Sequence, residues 1–167
     1  METEIRKAVI QDADTLKTIA RRTIDANYRL FLENEGVDRF IGSGASDAIV
    51  DENIDDSWVI LSNSQIIGFS ICKANLIDLM MIDHDYHRHG YGTTLLKHCE
   101  KHLLKTFDEI KVESYEGNEK ANNFYRKNGW SEIARKFDEL TGVNKITFIK
   151  RSSQTETNWK SPTNKQA

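Results

Sequence analysis

Seven consecutive residues, Leu76-Ile-Asp-Leu-Met-Met-Ile82, are apolar but for one aspartate. A run of that length and composition suits a central strand covered on both faces. A loop with Gly90 and Gly92 leads from it into a stretch where Leu95, Leu96, Cys99, Leu103 and Phe107 fall at helical spacing. A strand that runs through a glycine turn straight into an amphipathic helix commits the chain to a sheet with helices packed on it.

The neighbouring segments alternate in the same way. Glu4–Lys7 with Val9 reads as an opening strand. Asp12-Ala-Asp14 offers N-cap residues to a helix whose face holds Leu16, Ile19, Ala20, Thr23, Ile24, Asn27 and Tyr28. Ser57–Leu61 and Gln65–Lys73 read as strands joined by an Asn63-Ser64 hairpin turn. Ile110–Tyr115 is a further strand, Asn118–Lys127 a short helix ending near Gly129, and Ser131–Arg135 and Asn144–Lys150 two closing strands. The order of strand, helix, three strands, helix, strand, helix and two strands describes a mixed sheet with helices on its faces. The stretch Glu33–Asp55, with Gly36, Gly42 and Gly44, reads as an irregular excursion with room for one short helix.

The 167 residues match the size of one compact domain, expected over 1–151. Residues 152–167 are polar, have no apolar period, and read as a flexible tail. With 38% hydrophobic and 29% charged residues the body is not globally disordered. Lys and Arg total 23 against 26 Asp and Glu, a net charge of -3, which argues against a nucleic-acid partner. No apolar run approaches the ~18–20 residues of a membrane span, so no membrane partner is expected. The start, Met1-Glu-Thr-Glu-Ile-Arg6, lacks the plan of a signal peptide, and the expected location is cytoplasmic.

The chemistry concentrates in Asp83-His-Asp-Tyr-His-Arg-His-Gly-Tyr-Gly-Thr-Thr-Leu-Leu96. Glycines between a strand and a helix let backbone N–H groups converge, and the first turn of the helix adds unpaired donors and a partial positive charge. Such a turn suits a phosphate, with Arg88 as a further charge, or simply a tight strand-to-helix connection. It is not a Walker loop, since no Gly-Lys-Ser/Thr follows. Leu95 occupies the third glycine position of a dinucleotide fingerprint, which disfavours a nucleotide-binding domain.

The run from Ile77 to Leu96 resembles the central strand and acyl-CoA loop of the GNAT-type N-acetyltransferases, whose loop reads Gln/Arg-x-x-Gly-x-Gly/Ala before an apolar helix. Downstream, Asn118-Glu-Lys-Ala121-Asn-Asn-Phe124-Tyr125-Arg-Lys-Asn-Gly129-Trp130 is similar to that family's Asn-x-x-Ala-x-x-Phe-Tyr-x-x-x-Gly-Phe/Trp segment. The two motifs stand in the family's order with a strand between them, and the resemblance covers roughly residues 4–150. His87 departs from the family's Gln or Arg, and His84 stands where a proline is common. The resemblance implies an α/β fold of the α+β type, with a mostly antiparallel sheet of six to seven strands. It also implies transfer of an acetyl group from acetyl-CoA to a primary amine of a small molecule or peptide, by direct attack in a ternary complex. The alternative is a non-catalytic acyl-CoA-binding or interaction module that keeps the fold.

On that reading the diphosphate of acetyl-CoA meets the backbone of His87, Arg88, His89, Gly90, Tyr91, Gly92 and Thr93. The pantetheine amides pair with the strand edge at Met80, Met81 and Ile82. On a helix, Asn118, Ala121 and Tyr125 share an arc of roughly 60° while Phe124 points toward the core. Asn118 would bond an amide, Ala121 leave room and Tyr125 give a proton to the leaving sulfur. Read without the resemblance, Tyr125 is sooner a core tyrosine with its hydroxyl satisfied nearby. Asp78, an acid in an apolar strand on the face of Leu76, Met80 and Ile82, is either a general base with its pKa raised by desolvation or a structural acid.

No metal is expected: His84, His87 and His89 share a loop and His98 and His102 a helix face toward solvent, without the spacing of a zinc site. Cys99 lies on the buried stripe and Cys72 has no activating neighbour, so a covalent cysteine is not expected. Acceptor contacts are expected from Tyr28–Asp56 and Phe137–Val143. The acids of the first segment either attract a cationic amine, such as a polyamine, an aminoglycoside or a lysine side chain, or form a solvated loop. The last strand pair offers a surface for a homodimer.

Overall fold

The computed structural model describes residues 2–153, so the tail expected from 152 onward lies almost wholly outside the described residues. Seven strands form one sheet in the order β1-β2-β3-β4-β5-β7-β6. They are β1 Thr3–Lys7, β2 Ser57–Ser62, β3 Gln65–Lys73, β4 Leu76–Ile82, β5 Glu109–Tyr115, β6 Ser131–Asp138 and β7 Val143–Arg151. All neighbours are antiparallel except β4 and β5. The helices are α1 Ala13–Asn27, α2 Asn34–Gly42, α3 Ala45–Glu52, α4 Tyr91–Leu103 and α5 Glu119–Lys127. No helix among the described residues is long and apolar enough to cross a membrane.

The hairpin turn forms as its residues suggest, with Asn63 and Ser64 at φ 48° and 65°. The excursion after α1 is more ordered than its glycines suggest. It folds into α2 and α3, separated by Gly44 at φ 79°, and each buries a valine, Val37 and Val50, beneath α1. Some of its acids are held in ion pairs. Arg29 holds Asp38 at 2.5 Å, Arg21 holds Asp47 at 2.5 Å and Lys17 holds Asp51 at 2.7 Å. Cations of α1 and of the turn after it thus neutralise part of the field expected there.

Two apolar clusters sandwich the sheet. One joins α4 and α5 to both halves of the sheet, through Ile60 and Ile77 on one side and Val112 and Phe148 on the other. The second joins α1, α2 and α3 to β2, β3 and β4 and takes no residue from β5, β6 or β7 among the described residues. One face of the β5-β7-β6 half is therefore without helix cover.

Glu100, 6% exposed on α4, ties the two halves together. Its carboxylate accepts from the Trp130 indole N–H at 2.9 Å, from Lys150 Nζ of β7 at 3.0 Å and from Lys97 Nζ at 3.2 Å. On the outer side of α4, His98 does not face solvent as its spacing suggests. Its ring meets Trp58 of β2 edge-on at 4.4 Å, and its Nε2 is buried without a partner. His102 stays exposed but touches the same indole at 4.9 Å.

Glu100→Ala leaves a buried indole N–H and a lysine without their acceptor and lowers unfolding free energy by about 3 kcal/mol, read by urea denaturation. A second outcome follows from the imidazoles. Burial against Trp58, then the charges of His102, Lys101 and Lys105, pushes His98 below its ordinary 6.5, and burial does the same to His102. A depressed folded value means that the unfolded chain binds more protons below pH 6.5, so stability is lost as the pH falls through that region. The melting temperature declines from pH 7.5 to 5, and His98→Phe, which keeps a ring against Trp58, flattens the decline.

Candidate active site

β4 and β5 pair at two positions only, Leu76 with Lys111 and Ile77 with Val112, and then part. Beyond Ile77, β4 pairs on its other edge with β3 alone. The central strand is covered on both faces as expected, with Ile77, Met80 and Ile82 in one cluster and Leu79 and Met81 in the other, but beyond Ile77 it is open along one edge. Ile77, Met81 and Ile82 are buried, Leu79 and Met80 are half-buried, and Asp78 is exposed. The wedge between the strands is a cleft that the loop after β4 closes at one end and α5 flanks.

Register decides where Asp78 sits. Ile71 of β3 opposes Leu79 while Cys72 opposes Ile77, so Asp78 is the extra residue of a bulge. The alternation that placed it with Met80 and Ile82 is broken there. It is not desolvated either: its side chain is 38% exposed, with Lys73 at 3.4 Å. It does line the cleft.

The loop is braced by its own side chains. Arg22 of α1 reaches Asp83 at 2.8 Å and Asp85 at 2.9 Å. The His87 ring meets the Ile82 carbonyl through Nε2 at 2.7 Å, and the His89 ring turns back to the His87 carbonyl at 2.7 Å. The Tyr91 hydroxyl meets Ser62 Oγ of β2 at 2.9 Å. His89 and Tyr91 consequently do not line the cleft, whereas His87, Arg88, Gly90, Gly92 and Thr93 do. Arg88 and Gly90 adopt left-handed φ of 63° and 83°. Gly90 is the N-cap of α4 without a side chain to cap it, and the N–H groups of Gly90, Gly92 and Thr93 have no acceptor among the described residues. Unspent donors at the positive end of a thirteen-residue helix suit an anion.

On α5 the polar residues divide differently from the helical-wheel expectation. Asn118 caps the helix, its side-chain oxygen accepting from the Ala121 N–H at 3.3 Å, and it lines the cleft. Asn122, with nothing in its spacing to single it out, is buried and donates to the Tyr115 and Glu116 carbonyls at 3.1 and 3.0 Å. Phe124 is not the core residue of this helix. It lies half-buried against α4, 3.6 Å from where a Gly92 Cβ would stand. The buried ring is Tyr125, 6% exposed and packed on Phe124, Phe148 and Trp130 at 5.5, 5.7 and 6.0 Å. It also lines the cleft, as does Ala121. Its hydroxyl has no hydrogen bond among the described residues. Burial, with Tyr28 and Cys99 nearby, pushes this phenol well above its ordinary value, which keeps it protonated and able to donate.

An aromatic wall absent from the sequence expectation faces the same cleft. Tyr28, Phe31 and Tyr115 lie ring to ring at 5.3, 5.4 and 5.8 Å. Gly117 permits it, since a Cβ there would stand 2.6 Å from that of Phe31. The position of Tyr28 at the end of its helical face is the one signal that could have pointed to it. Neither Cys72 nor Cys99 lines the cleft, and Cys99 is buried with its sulfur 3.2 Å from Ser70 Oγ.

Residues 53–132 match the family described as Acetyltransferase (GNAT) domain. No curated protein matches the chain. Among solved structures it is similar to a GCN5-related N-acetyltransferase from Rhodopseudomonas palustris, with 18% identity, a TM-score of 0.79 and coverage of 91% of this chain and 97% of that one. The PaiA N-acetyltransferase from Thermoplasma acidophilum, solved in complex with coenzyme A, is 24% identical at a TM-score of 0.75, covering 91% and 100%. The apo form of YjaB from Escherichia coli is 25% identical at 0.72, covering 89% and 97%.

The two loop glycines differ in backbone need. Gly90→Ala forces a left-handed alanine and costs about 1 kcal/mol of stability in urea denaturation. Gly92→Ala meets only ordinary contacts with Phe124 and Ile82, so it is expected to preserve stability in the same measurement.

Proposed function

We propose that this chain, a member of the GNAT acetyltransferase superfamily, transfers an acetyl group from acetyl-CoA to a primary amine by direct attack, with both substrates held where β4 and β5 part. The observation that carries the reading is the conjunction of three features in one cleft. These are an unpaired β4 edge, unspent N–H donors at the start of α4, and the buried phenol of Tyr125.

Each feature answers a need of the reaction. The N–H groups of Gly90, Gly92 and Thr93, with the Arg88 side chain beside them, fit a diphosphate. The edge from Met80 to Ile82 offers strand hydrogen bonds to the amides of the pantetheine arm, alongside Ala121. Acetyl-CoA brings an acyl group activated as a thioester. The acceptor must first lose its ammonium proton, which Asp78 takes directly or through water. Its nitrogen then forms the amide bond as the carbon–sulfur bond breaks, and Tyr125 gives its proton to the departing sulfur. The second amine proton returns to Tyr125 through solvent. The absence of either cysteine from the cleft wall supports direct attack over relay through a thiolate.

The melting temperature is expected to rise with acetyl-CoA and CoA but not with ATP, and a panel of primary amines is expected to release free thiol. Tyr125→Phe lowers kcat about 100-fold and leaves CoA affinity nearly unchanged. Unaltered turnover in that variant removes Tyr125 from the role, and cofactor binding without thiol release from any amine reduces the chain to an acyl-CoA-binding module.

A further inference from the structure

Away from the cleft, under the flank of α4 that faces β3, lie two thiols that no step above uses. Gly68, Ser70 and Cys72 alternate along β3 with Phe69 and Ile71, so the first three turn toward α4 while the other two join the cluster beneath α1. Small side chains on that side let the helix sit low, and β3 and α4 bring Cα atoms within 8 Å of each other. Cys99 points from α4 into this narrow seam, fully buried, its sulfur 3.2 Å from the Ser70 hydroxyl. Cys72, next after Ser70 on the same side of the strand, is half-buried and packs on the cluster that holds Cys99. The two thiols share a hydrogen bond. Elements far apart in sequence thus set two sulfurs side by side.

Their surroundings make them unequal. Along its own strand Cys72 has no activating neighbour, and the fold supplies what the strand lacks. Hydrogen bonds with Cys99 and Ser70, and the Lys7 ammonium of β1, outweigh burial and the Asp56 charge and hold the Cys72 thiol below its ordinary range. Cys99 moves the other way. Its hydrogen bond to Cys72, and then burial, push it far above that range, so it keeps its proton. A partly exposed sulfur with thiolate character beside a buried, protonated one is the arrangement of an attacking thiol and its resolving partner. Neither sulfur lines the acetyl-transfer cleft, so this chemistry stands apart from it.

We propose that Cys72 and Cys99 are an oxidisable pair, in which a hydroperoxide modifies Cys72 and Cys99 closes the disulfide. In the first step the Cys72 thiolate attacks one peroxide oxygen and the O–O bond breaks. Cys72 becomes a sulfenic acid, and the other oxygen leaves as hydroxide, which takes a proton from solvent to give water. In the second step the Cys99 sulfur attacks the Cys72 sulfur, and the sulfenic hydroxyl leaves as water with the proton of Cys99. Two thiols are oxidised to one disulfide while hydrogen peroxide is reduced to two waters. The new bond staples β3 to α4, the helix whose first turn carries the unspent donors.

The test treats the intact chain with hydrogen peroxide, unfolds it in guanidinium with N-ethylmaleimide, and follows its mass. The expected product has lost two hydrogens, carries no maleimide, yields a Cys72–Cys99 cross-linked peptide on digestion, and returns to two alkylated thiols after dithiothreitol. In Cys99→Ser, whose hydroxyl keeps a donor beside Cys72, oxidation is expected to stop at a sulfenic acid that dimedone captures. In Cys72→Ser, Cys99 is expected to react at least about tenfold more slowly than Cys72 does in the unaltered chain. Two thiols still open to alkylation after peroxide, a disulfide between two chains, or a Cys99 that oxidises as fast in Cys72→Ser overturns the proposal. The mass of the unaltered chain decides the disulfide by itself, so a variant that fails to fold does not shelter the idea from refutation.

Discussion

Everything about this cleft depends on how little β4 and β5 share. Two paired positions join the halves of a seven-stranded sheet, after which the strands part. A wedge of that kind costs backbone hydrogen bonds, because each N–H and C=O on a freed edge needs water or a ligand as partner. The cost is offset on the far side of the sheet. There α4 packs Leu95 and Leu96 into a cluster that spans both halves, and Glu100 reaches Trp130 and Lys150 beyond the parting. The helix that offers donors at its first turn is thus the one whose body keeps the wedge from opening further.

Rigidity at the loop follows from contacts that point away from the cleft. Arg22 anchors Asp83 and Asp85, His87 props the Ile82 carbonyl, and Tyr91 reaches Ser62. None of these spends the N–H groups of Gly90, Gly92 and Thr93. Donors held in place before a ligand arrives lose little freedom on binding, which is where preorganised sites gain affinity.

Much of the fold was legible because burial imposes periods on the chain. The long helices, the Asn63-Ser64 turn and the strand order all follow from apolar spacing and turn chemistry. α2 and α3 were not, since helices of nine and eight residues held by single buried valines leave a weak pattern, and three glycines nearby suggest a loop. In the candidate site the backbone positions were readable and the side-chain directions were not. His87 and Asn118 spend ring and amide on local carbonyl and N–H groups, and the bulge that displaces Asp78 exists only through pairing with β3. The turn of α5 was misjudged because a polar residue, Asn122, is what it buries, and Phe124 gave way to Tyr125 in the core.

The uneven cover of the sheet gives the cleft two distinct approaches. α4 and α5 cover one face from β1 to β7, so a ligand on the donors of α4 enters between helix and strand edge. The other face is covered only over β2, β3 and β4, which leaves β5 and β7 open beside the aromatic wall. A second reactant can therefore reach the parting of the strands without displacing the first. Tyr125, buried among Phe124, Phe148 and Trp130, stays neutral, while Asp78 is exposed on the β4 edge. In the reaction proposed above the two groups line one cleft, one buried and one exposed, which would let the same site protonate a leaving sulfur and deprotonate an incoming amine at one pH.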